Sequence, residues 1–283
     1  MRIAVTGGDG MLALALVPEL RARGHEVRPY TRAELDVTDA SAAVAALGSF
    51  QPEVVIQCAA FTAVDDAERQ RDLAMKVNAG GTENIAKVCH DLAALLVYPS
   101  SDYVFRGDGT RPYRPDDPVD PINEYGRSKA AGEDAARAAG RWIVVRTSWL
   151  YGAGGPNFVD TMSRLARERE SLDVVDDQVG RPTWTGTLAT TMAALIESGA
   201  KGTLHATDSG DPVTWYGFAR EILRLGGSPT PVRPMDSATF PRPAARPGYS
   251  VLDCAETERI IGRPLPTWRD ALTRYLATSS VPV

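Results

Sequence analysis

Short apolar runs, each followed by a polar or amphipathic stretch long enough for a helix, set the rhythm of the first half of the chain. Arg2 to Val5 reads as a buried strand, and Thr6-Gly-Gly-Asp-Gly-Met-Leu-Ala13 leads from it into an apolar helix ending at Gly24. Further strands are predicted at Glu26 to Tyr30, Val54 to Cys58, Leu95 to Tyr98 and Trp142 to Arg146. Helical stretches begin at Asp65, run on from Asn78 and open at Tyr125. Strands alternating with helices demand a parallel, doubly wound sheet, an α/β fold of the Rossmann type.

Beyond Thr147 the periodicity changes. Trp149-Leu-Tyr-Gly-Ala-Gly-Gly-Pro-Asn157-Phe is an aromatic, glycine-rich loop, followed by a charged helix around Thr161 to Glu170 and a polar turn from Asp176 to Thr183. Thr185 to Ser198 reads as helix and Gly202 to Ala206 as a short strand, Thr214 is placed to cap a helix, and a proline-rich segment from Ser228 to Pro247 is expected to cross the surface. Thr267-Trp-Arg-Asp starts a last amphipathic helix before a frayed tail. The division this predicts is a dinucleotide-binding domain over 1–150, with about 174–206 returning to it, and a smaller C-terminal substrate-binding α/β domain over 151–283.

Composition narrows the function. A length of 283 residues suits one large α/β domain with a smaller one appended, and a net charge of −5 with no basic block argues against a nucleic-acid partner. No apolar run reaches the roughly 18 residues a membrane span needs. The N-terminus enters a strand at once without a signal-peptide pattern, and Cys58, Cys89 and Cys254 are scattered, so a reducing cytoplasm is the expected location. His25, His90 and His205 are isolated, no Cys/His spacing suggests a metal, and the histidines are expected as surface or core filler.

The chemistry concentrates between Tyr98 and Lys129. Tyr98-Pro-Ser-Ser-Asp-Tyr-Val-Phe105 ends a strand, where an open parallel sheet presents its reacting groups, and Asn123-Glu-Tyr-Gly-Arg-Ser-Lys129 opens a helix. Tyr125 and Lys129 stand four apart, on one helix face. Chance alone would supply only about 0.1 such pairs, and the Lys stands in a chain that uses Arg for nearly every other cation. A compact ammonium beneath a phenol depresses its pKa, and with the Ser101 hydroxyl the two make a proton-delivery set for a carbonyl.

Gly8-x-Gly10-x-x-Ala13 fits the dinucleotide fingerprint in its Gly/Ala form, with Gly7 and Gly10 adding a second spacing; alone it also fits a plain tight turn. At the end of the second strand Tyr30-Thr31-Arg32 stands where an NAD-restricted site carries an acid, so Arg32 leans towards a 2′-phosphate, or is simply solvated. Asp36-Val37 is expected to edge the adenine pocket, and the small residues Ala59 and Ala60 to pass close to the cofactor.

Together these motifs resemble the extended short-chain dehydrogenase/reductases and, within them, the dTDP-4-dehydrorhamnose reductase family. Arg32-Ala-Glu-Leu-Asp-Val-Thr-Asp39, Ala60-Phe-Thr-Ala-Val-Asp65, Arg146-Thr-Ser-Trp-Leu-Tyr-Gly152, Val174-Val-Asp-Asp-Gln178 and Arg246-Pro…Ser250-Val-Leu-Asp253 follow that family's run of motifs over nearly the whole chain. The resemblance implies a catalytic trio of Ser101, Tyr125 and Lys129. It implies NADPH, with NADH also accepted, over Gly7, Gly10, Met11, Leu12, Arg32, Asp36, Val37, Ala59, Ala60, Tyr125 and Lys129. A nucleotide-sugar substrate would be held by Val64, Asp102, Tyr103, Trp149, Asn157 and Arg246, with Trp149 offering a face to the sugar or base. The implied reaction is reduction of the 4-keto group of a dTDP-4-keto-6-deoxyhexose, with dTDP-4-dehydro-L-rhamnose first in line, by a monomer or homodimer. Tyr249, standing for an Asn, leaves open a related or streptose-type sugar. A non-catalytic regulatory subunit of the same fold is the alternative from another class, and the intact trio argues against it. A dehydratase of this fold carries an Asp-Glu pair after the hydroxyl residue, whereas here Asp102 is followed by Tyr103.

Overall fold

The computed structural model describes residues 1–278. The expected frayed tail lies outside the described residues. In chain order the elements are β1 Arg2–Thr6, α1 Met11–Ala22, β2 Glu26–Tyr30, α2 Ala40–Phe50, β3 Val54–Gln57, α3 Val64–Ala67, α4 Arg71–Met75, a π-helical turn Lys76–Gly80, α5 Gly81–Asp91, β4 Leu95–Ser101, α6 Glu124–Arg137 and β5 Trp142–Thr147. There follow β6 Leu150–Tyr151, α7 Phe158–Glu168, β7 Leu172–Val175, β8 Val179–Gly180, β9 Thr183–Trp184, α8 Thr185–Glu197, β10 Gly202–His205, β11 Val213–Thr214, α9 Trp215–Leu225, β12 Val232–Met235, α10 Ala255–Ile261 and α11 Trp268–Thr278.

Six strands form one parallel sheet in the order β2-β1-β3-β4-β5-β10. The near-continuous apolar runs of β1, β3 and β4 are explained by burial on both faces, as parallel sheets require. One face is covered by α1 and α8, which share a core with Ile3, Val5, Ile56, Val97 and Val145. The other is covered by α2, α5 and α6, around Ala4, Val55, Leu96 and Val144. The strand order reverses between β1 and β3, and a crevice at their carboxyl ends is where such sheets receive a ligand.

The smaller lobe has its own core. Val159, Met162, Leu172, Phe218, Ile222 and Trp268 pack together from α7, β7, α9 and α11. Two departures from the sequence reading concern this lobe. The segment that returns to the large sheet comprises α8 and β10, whereas β7 pairs in parallel with β12, so Val174 and Val175 belong with the small lobe. The segment 228–247 is tied in by that same pairing, because Val232–Met235 offers its hydrogen-bonding edge to Leu172–Val175. Pro231 and Pro234 do not prevent this: the strand bonds on one side only, as an edge strand can.

Candidate active site

The site lies at the carboxyl edge of the large sheet. Ser101 is the last residue of β4, in register with Thr147 of β5. Its Oγ donates to Asp102 Oδ1 at 3.0 Å and accepts from the Tyr103 amide at 3.1 Å, which turns the chain into a single helical turn. Helix α6 starts nearby because Asn123 caps it, accepting from the Gly126 amide at 2.7 Å. Gly126 lets this helix lie against the turn, since a Cβ there would run into the Tyr103 carbonyl. Tyr125 and Lys129 therefore project from the first turns of α6 towards the end of β4.

The Tyr125 phenol is half-buried and meets the Tyr103 ring edge to face, with centroids 5.8 Å apart. Burial pushes it up to about 12, against the pull of the Ser101 hydroxyl and with a further push from Asp102. Lys129 is buried. Its Nζ donates to the Pro99 carbonyl at 2.7 Å and stands over the ring of Tyr98, 4.1 Å from the centroid. The phenol that the ammonium sits beneath is thus Tyr98 and not Tyr125, a correction to the spacing argument: position 129 reaches back over the strand that α6 covers. Burial also lowers Lys129 to about 7, partly offset by the Glu133 carboxylate and Cys58. Asp102 is buried as well and raised to about 7 by that burial, against the Ser250 and Ser101 hydroxyls.

The residues expected to meet a cofactor follow the carboxyl ends of β1, β2 and β3. Gly7 has φ +61°, and a Cβ on it would stand 2.8 Å from the Ala59 amide nitrogen, so both the turn and the approach of the β3 loop need glycine. Gly10 opens α1 with no side-chain cap, leaving the amides of the first turn, from Met11 and Leu12 onward, without side-chain acceptors. Ala59 donates to Thr6 Oγ1 at 3.1 Å, and Ala60 follows it in the loop. Val37 is buried against Gly81. Asp36 is held below the usual carboxylate range first by the Thr38 amide and hydroxyl. Arg32 reaches Asp36 at 3.5 Å with its side chain 80% exposed, so it stands at the rim.

The residues expected to hold a substrate divide. A cavity of about 800 Å³ opens between the lobes, lined by Tyr103, Phe158, Trp215, Arg169, Arg242 and Arg246 among others. Asp65 of α3, next to Val64, receives Arg246 at 2.5 Å and Arg242 at 3.3 Å. Burial alone would raise Asp65, but Arg246, the Ala244 amide and Arg242 outweigh it and hold it below the usual range. Trp149 is stacked on Trp215 and does not line the cavity. Asn157 is the cap of α7, accepting from the Asp160 amide at 3.0 Å and donating to the Gly152 carbonyl at 2.9 Å; its amide is spent inside the small lobe and also does not line the cavity. Another hollow, of about 610 Å³, lies under the amino ends of the strands beside Met1, Arg141 and Gly202, away from these groups. Among the described residues no group of His, Cys, Asp and Glu is placed to hold a metal, and no helix is long and apolar enough to cross a membrane.

The sequence model of the RmlD substrate binding domain family matches residues 1–281. The chain belongs to that family. It is 46% identical over 280 residues to a dTDP-4-dehydrorhamnose reductase of Streptomyces griseus, covering 96% of this chain and 92% of the relative. It is 42% identical over 276 residues to a dTDP-4-keto-6-deoxy-D-glucose reductase of Streptomyces niveus, with 96% of each covered. The crystal structure of a dTDP-4-dehydrorhamnose reductase from Bacillus anthracis in complex with NADP superposes with a TM-score of 0.95 at 38% identity, covering 98% of this chain and 99% of that one.

Two groups that motif reasoning passes over hold this family member's site together. Asn78, in the π-helical turn, accepts from the Phe61 amide at 2.8 Å and donates to the Phe61 carbonyl at 3.0 Å and to Ser128 Oγ at 2.8 Å; Ser128 in turn donates to the Tyr125 carbonyl at 2.7 Å. One amide thereby joins the loop after β3 to the helix that carries Tyr125. Glu133, four residues beyond Lys129, accepts from Ser100 Oγ at 2.6 Å and is clasped by Arg146 through two bonds of 2.8 and 2.7 Å, with both side chains 2% exposed. An arginine inside the apolar strand Trp142–Thr147 is a signal for such a partner.

Proposed function

We propose that the protein is an NADPH-dependent oxidoreductase that reduces the 4-keto group of a dTDP-linked 4-keto-6-deoxyhexose, with dTDP-4-dehydro-L-rhamnose as its substrate. The observation that carries this reading is the convergence of Ser101, Tyr125 and Lys129 at one sheet edge, with an arginine- and aromatic-lined cavity opening beside Tyr103. A dinucleotide suits the crevice on structural grounds: Gly7 lets the turn after β1 close against the Ala59 loop, and the uncapped start of α1 offers amides to a diphosphate. When bound, the nicotinamide supplies the hydride.

The remaining chemistry falls to the chain. Tyr125, raised to about 12, holds its proton at neutral pH and gives it to the forming alkoxide at position 4. Ser101, by turning its hydroxyl proton from Asp102 to the substrate, orients the carbonyl oxygen. Lys129, with one bond to the Pro99 carbonyl and further N–H groups left over, would hold the nicotinamide ribose. Arg246 and Arg242, both paired with Asp65, line the cavity that would take the diphosphate. Arg32 at the rim favours the phosphorylated cofactor without excluding NADH. Tyr103 follows Asp102, so a phenol stands where a dehydratase of this fold carries its second carboxylate.

The test compares two incubations of the purified protein. A dTDP-4-keto-6-deoxyhexose with NADPH should consume reduced cofactor stoichiometrically, and dTDP-glucose with oxidised cofactor should yield no 4-keto-6-deoxy product. Loss of water from dTDP-glucose at a comparable rate overturns the reading in favour of a dehydratase.

A further inference from the structure

The segment 241–247 has no regular secondary structure, yet it forms one wall of the cavity between the lobes, which Arg242, Ala244, Ala245 and Arg246 all line. Pro241, Pro243 and Pro247 carry no N–H, so few backbone groups are available to hold this strap, and two of them are met by side chains of the large lobe. Asp65 of α3 accepts from the Ala244 amide at 3.2 Å, besides pairing with Arg242 and Arg246. Asn123 donates from Nδ2 to the Ala245 carbonyl at 2.8 Å, across 122 residues of sequence. The same side chain, in a residue 1% exposed, caps α6 through its Oδ1, and the next amide, that of Glu124, donates to Glu68 at 2.9 Å, just beyond α3. The end of α3, the start of α6 and the strap are thus tied pairwise into a closed ring of bonds.

A helix cap needs only an acceptor, and Asp or Ser would serve α6 as well as Asn does. Because Oδ1 faces the Gly126 amide, the other arm of the Asn123 side chain is left as a donor, and it meets the strap. Asp has no such donor, and a Ser hydroxyl is one bond shorter. We infer that Asn123 is a positioning residue that seats the strap, and with it the cavity wall carrying Arg242 and Arg246, on the helix that carries Tyr125. Its kinetic consequence rests on the functional reading above, whereas the seating is measured without substrate.

Hydrogen–deuterium exchange of the full chain, read on peptides covering the strap and α6, tests the seating. Asn123→Asp keeps the oxygen that accepts from Gly126 and puts a second oxygen where the N–H stood. Exchange in the strap should quicken by roughly 2- to 13-fold, the worth of one net hydrogen bond, while α6 exchanges as in wild type. Asn123→Ser, which brings in no charge and still offers a cap, should do the same, so the outcome does not hang on a buried carboxylate. Asn123→Ala loses both bonds and should quicken exchange in the strap and in the first turn of α6 alike. In the reductase assay the Asp and Ser variants should raise KM for a dTDP-4-keto-6-deoxyhexose by a similar factor, with proportionally less effect on kcat, because the lost bond is to the strap and not to the helix. A residue that served only as a cap would leave strap exchange where it was. Strap exchange at the wild-type rate in both Asn123→Asp and Asn123→Ser overturns the inference, as does quickened exchange with KM unmoved in an active enzyme. Quickened strap exchange in a protein whose wild type reduces no ketosugar supports the seating and strikes the functional reading alone.

Discussion

The side chains assigned to chemistry and those assigned to recognition are held by different physics. On the large sheet, Lys129 and the helix carrying Tyr125 are fixed by buried polar bonds: Glu133 to Arg146 and Ser100, Asn78 to Phe61 and Ser128. In the small lobe, Trp149, just before β6, and Trp215, the first residue of α9, are held by the stacking of their rings, and the Asp65 to Arg246 pair is partly exposed. Hydrogen bonds in a dry interior fix position to a fraction of an ångström and are costly to leave unmade, whereas stacked rings tolerate sliding. A proton donor needs the first kind of support. A cavity wall that must admit a substrate works with the second. Changes in the large lobe should therefore act on kcat and stability, and changes in the small lobe on KM.

The sharpest break of that contrast is at Tyr125. Tyr125→Phe keeps the ring that meets Tyr103 and removes only the proton, so kcat should fall by about 10²–10⁴-fold with NADPH affinity unchanged; retention of more than about a tenth of kcat would remove Tyr125 as the acid. Next comes Glu133→Gln, which leaves Arg146 charged, buried and without its counter-ion. Breaking such a pair from one side costs on the order of 3–5 kcal/mol, read by urea denaturation, and kcat should drop as α6 loosens.

A smaller effect, with a definite pH signature, belongs to Asp208, whose carboxylate at the lobe junction accepts from the Trp184 amide at 2.9 Å. Burial raises it to about 7, against Trp184 and Thr187. Between the ordinary carboxylate range and that value the folded protein binds more protons than the unfolded chain, so this contribution to stability is complete below about 4 and lost as pH rises through about 7. Asp208→Asn cannot ionise. Its stability relative to wild type should climb over that window by roughly 1–3 kcal/mol and then level off, and a difference independent of pH would refute the assignment. The mildest change is Arg32→Ala: on a rim position 80% exposed it should reduce kcat/KM for NADPH more than for NADH and leave stability untouched. Equal reductions would show that Arg32 does not read the 2′-phosphate.

How far the sequence carries follows the same division. β1 with Gly7, the end of β4 with Ser101, and Tyr125 with Lys129 four residues later are legible because each depends on local spacing and on the sheet presenting its carboxyl edge. The direction of the Lys129 ammonium is not legible, since it depends on Tyr98 and Pro99 from a strand some thirty residues away in sequence. Asn78 gives no periodic signal, because its role arises from a π-helical turn that aims one amide at two elements at once. Arg146 does give one, as a charge in a buried strand must have a partner, though only the fold names Glu133. In the small lobe the β7 to β12 pairing and the Trp149 to Trp215 stack join segments about sixty residues apart, and the prolines of 228–247 point away from a strand.

On the proposed mechanism this sheet edge directs hydride from the cofactor to carbon 4 of a nucleotide-linked ketosugar while Tyr125 protonates the oxygen. Turnover with NADPH deuterated at the transferring face of nicotinamide C4, followed by proton NMR of the isolated dTDP-sugar, tests it most directly. One deuterium is expected at sugar C4, with collapse of the coupling between H4 and its neighbours and no label at C5 or C6. Label at C6, or a 4-keto product formed without consumption of reduced cofactor, would contradict it.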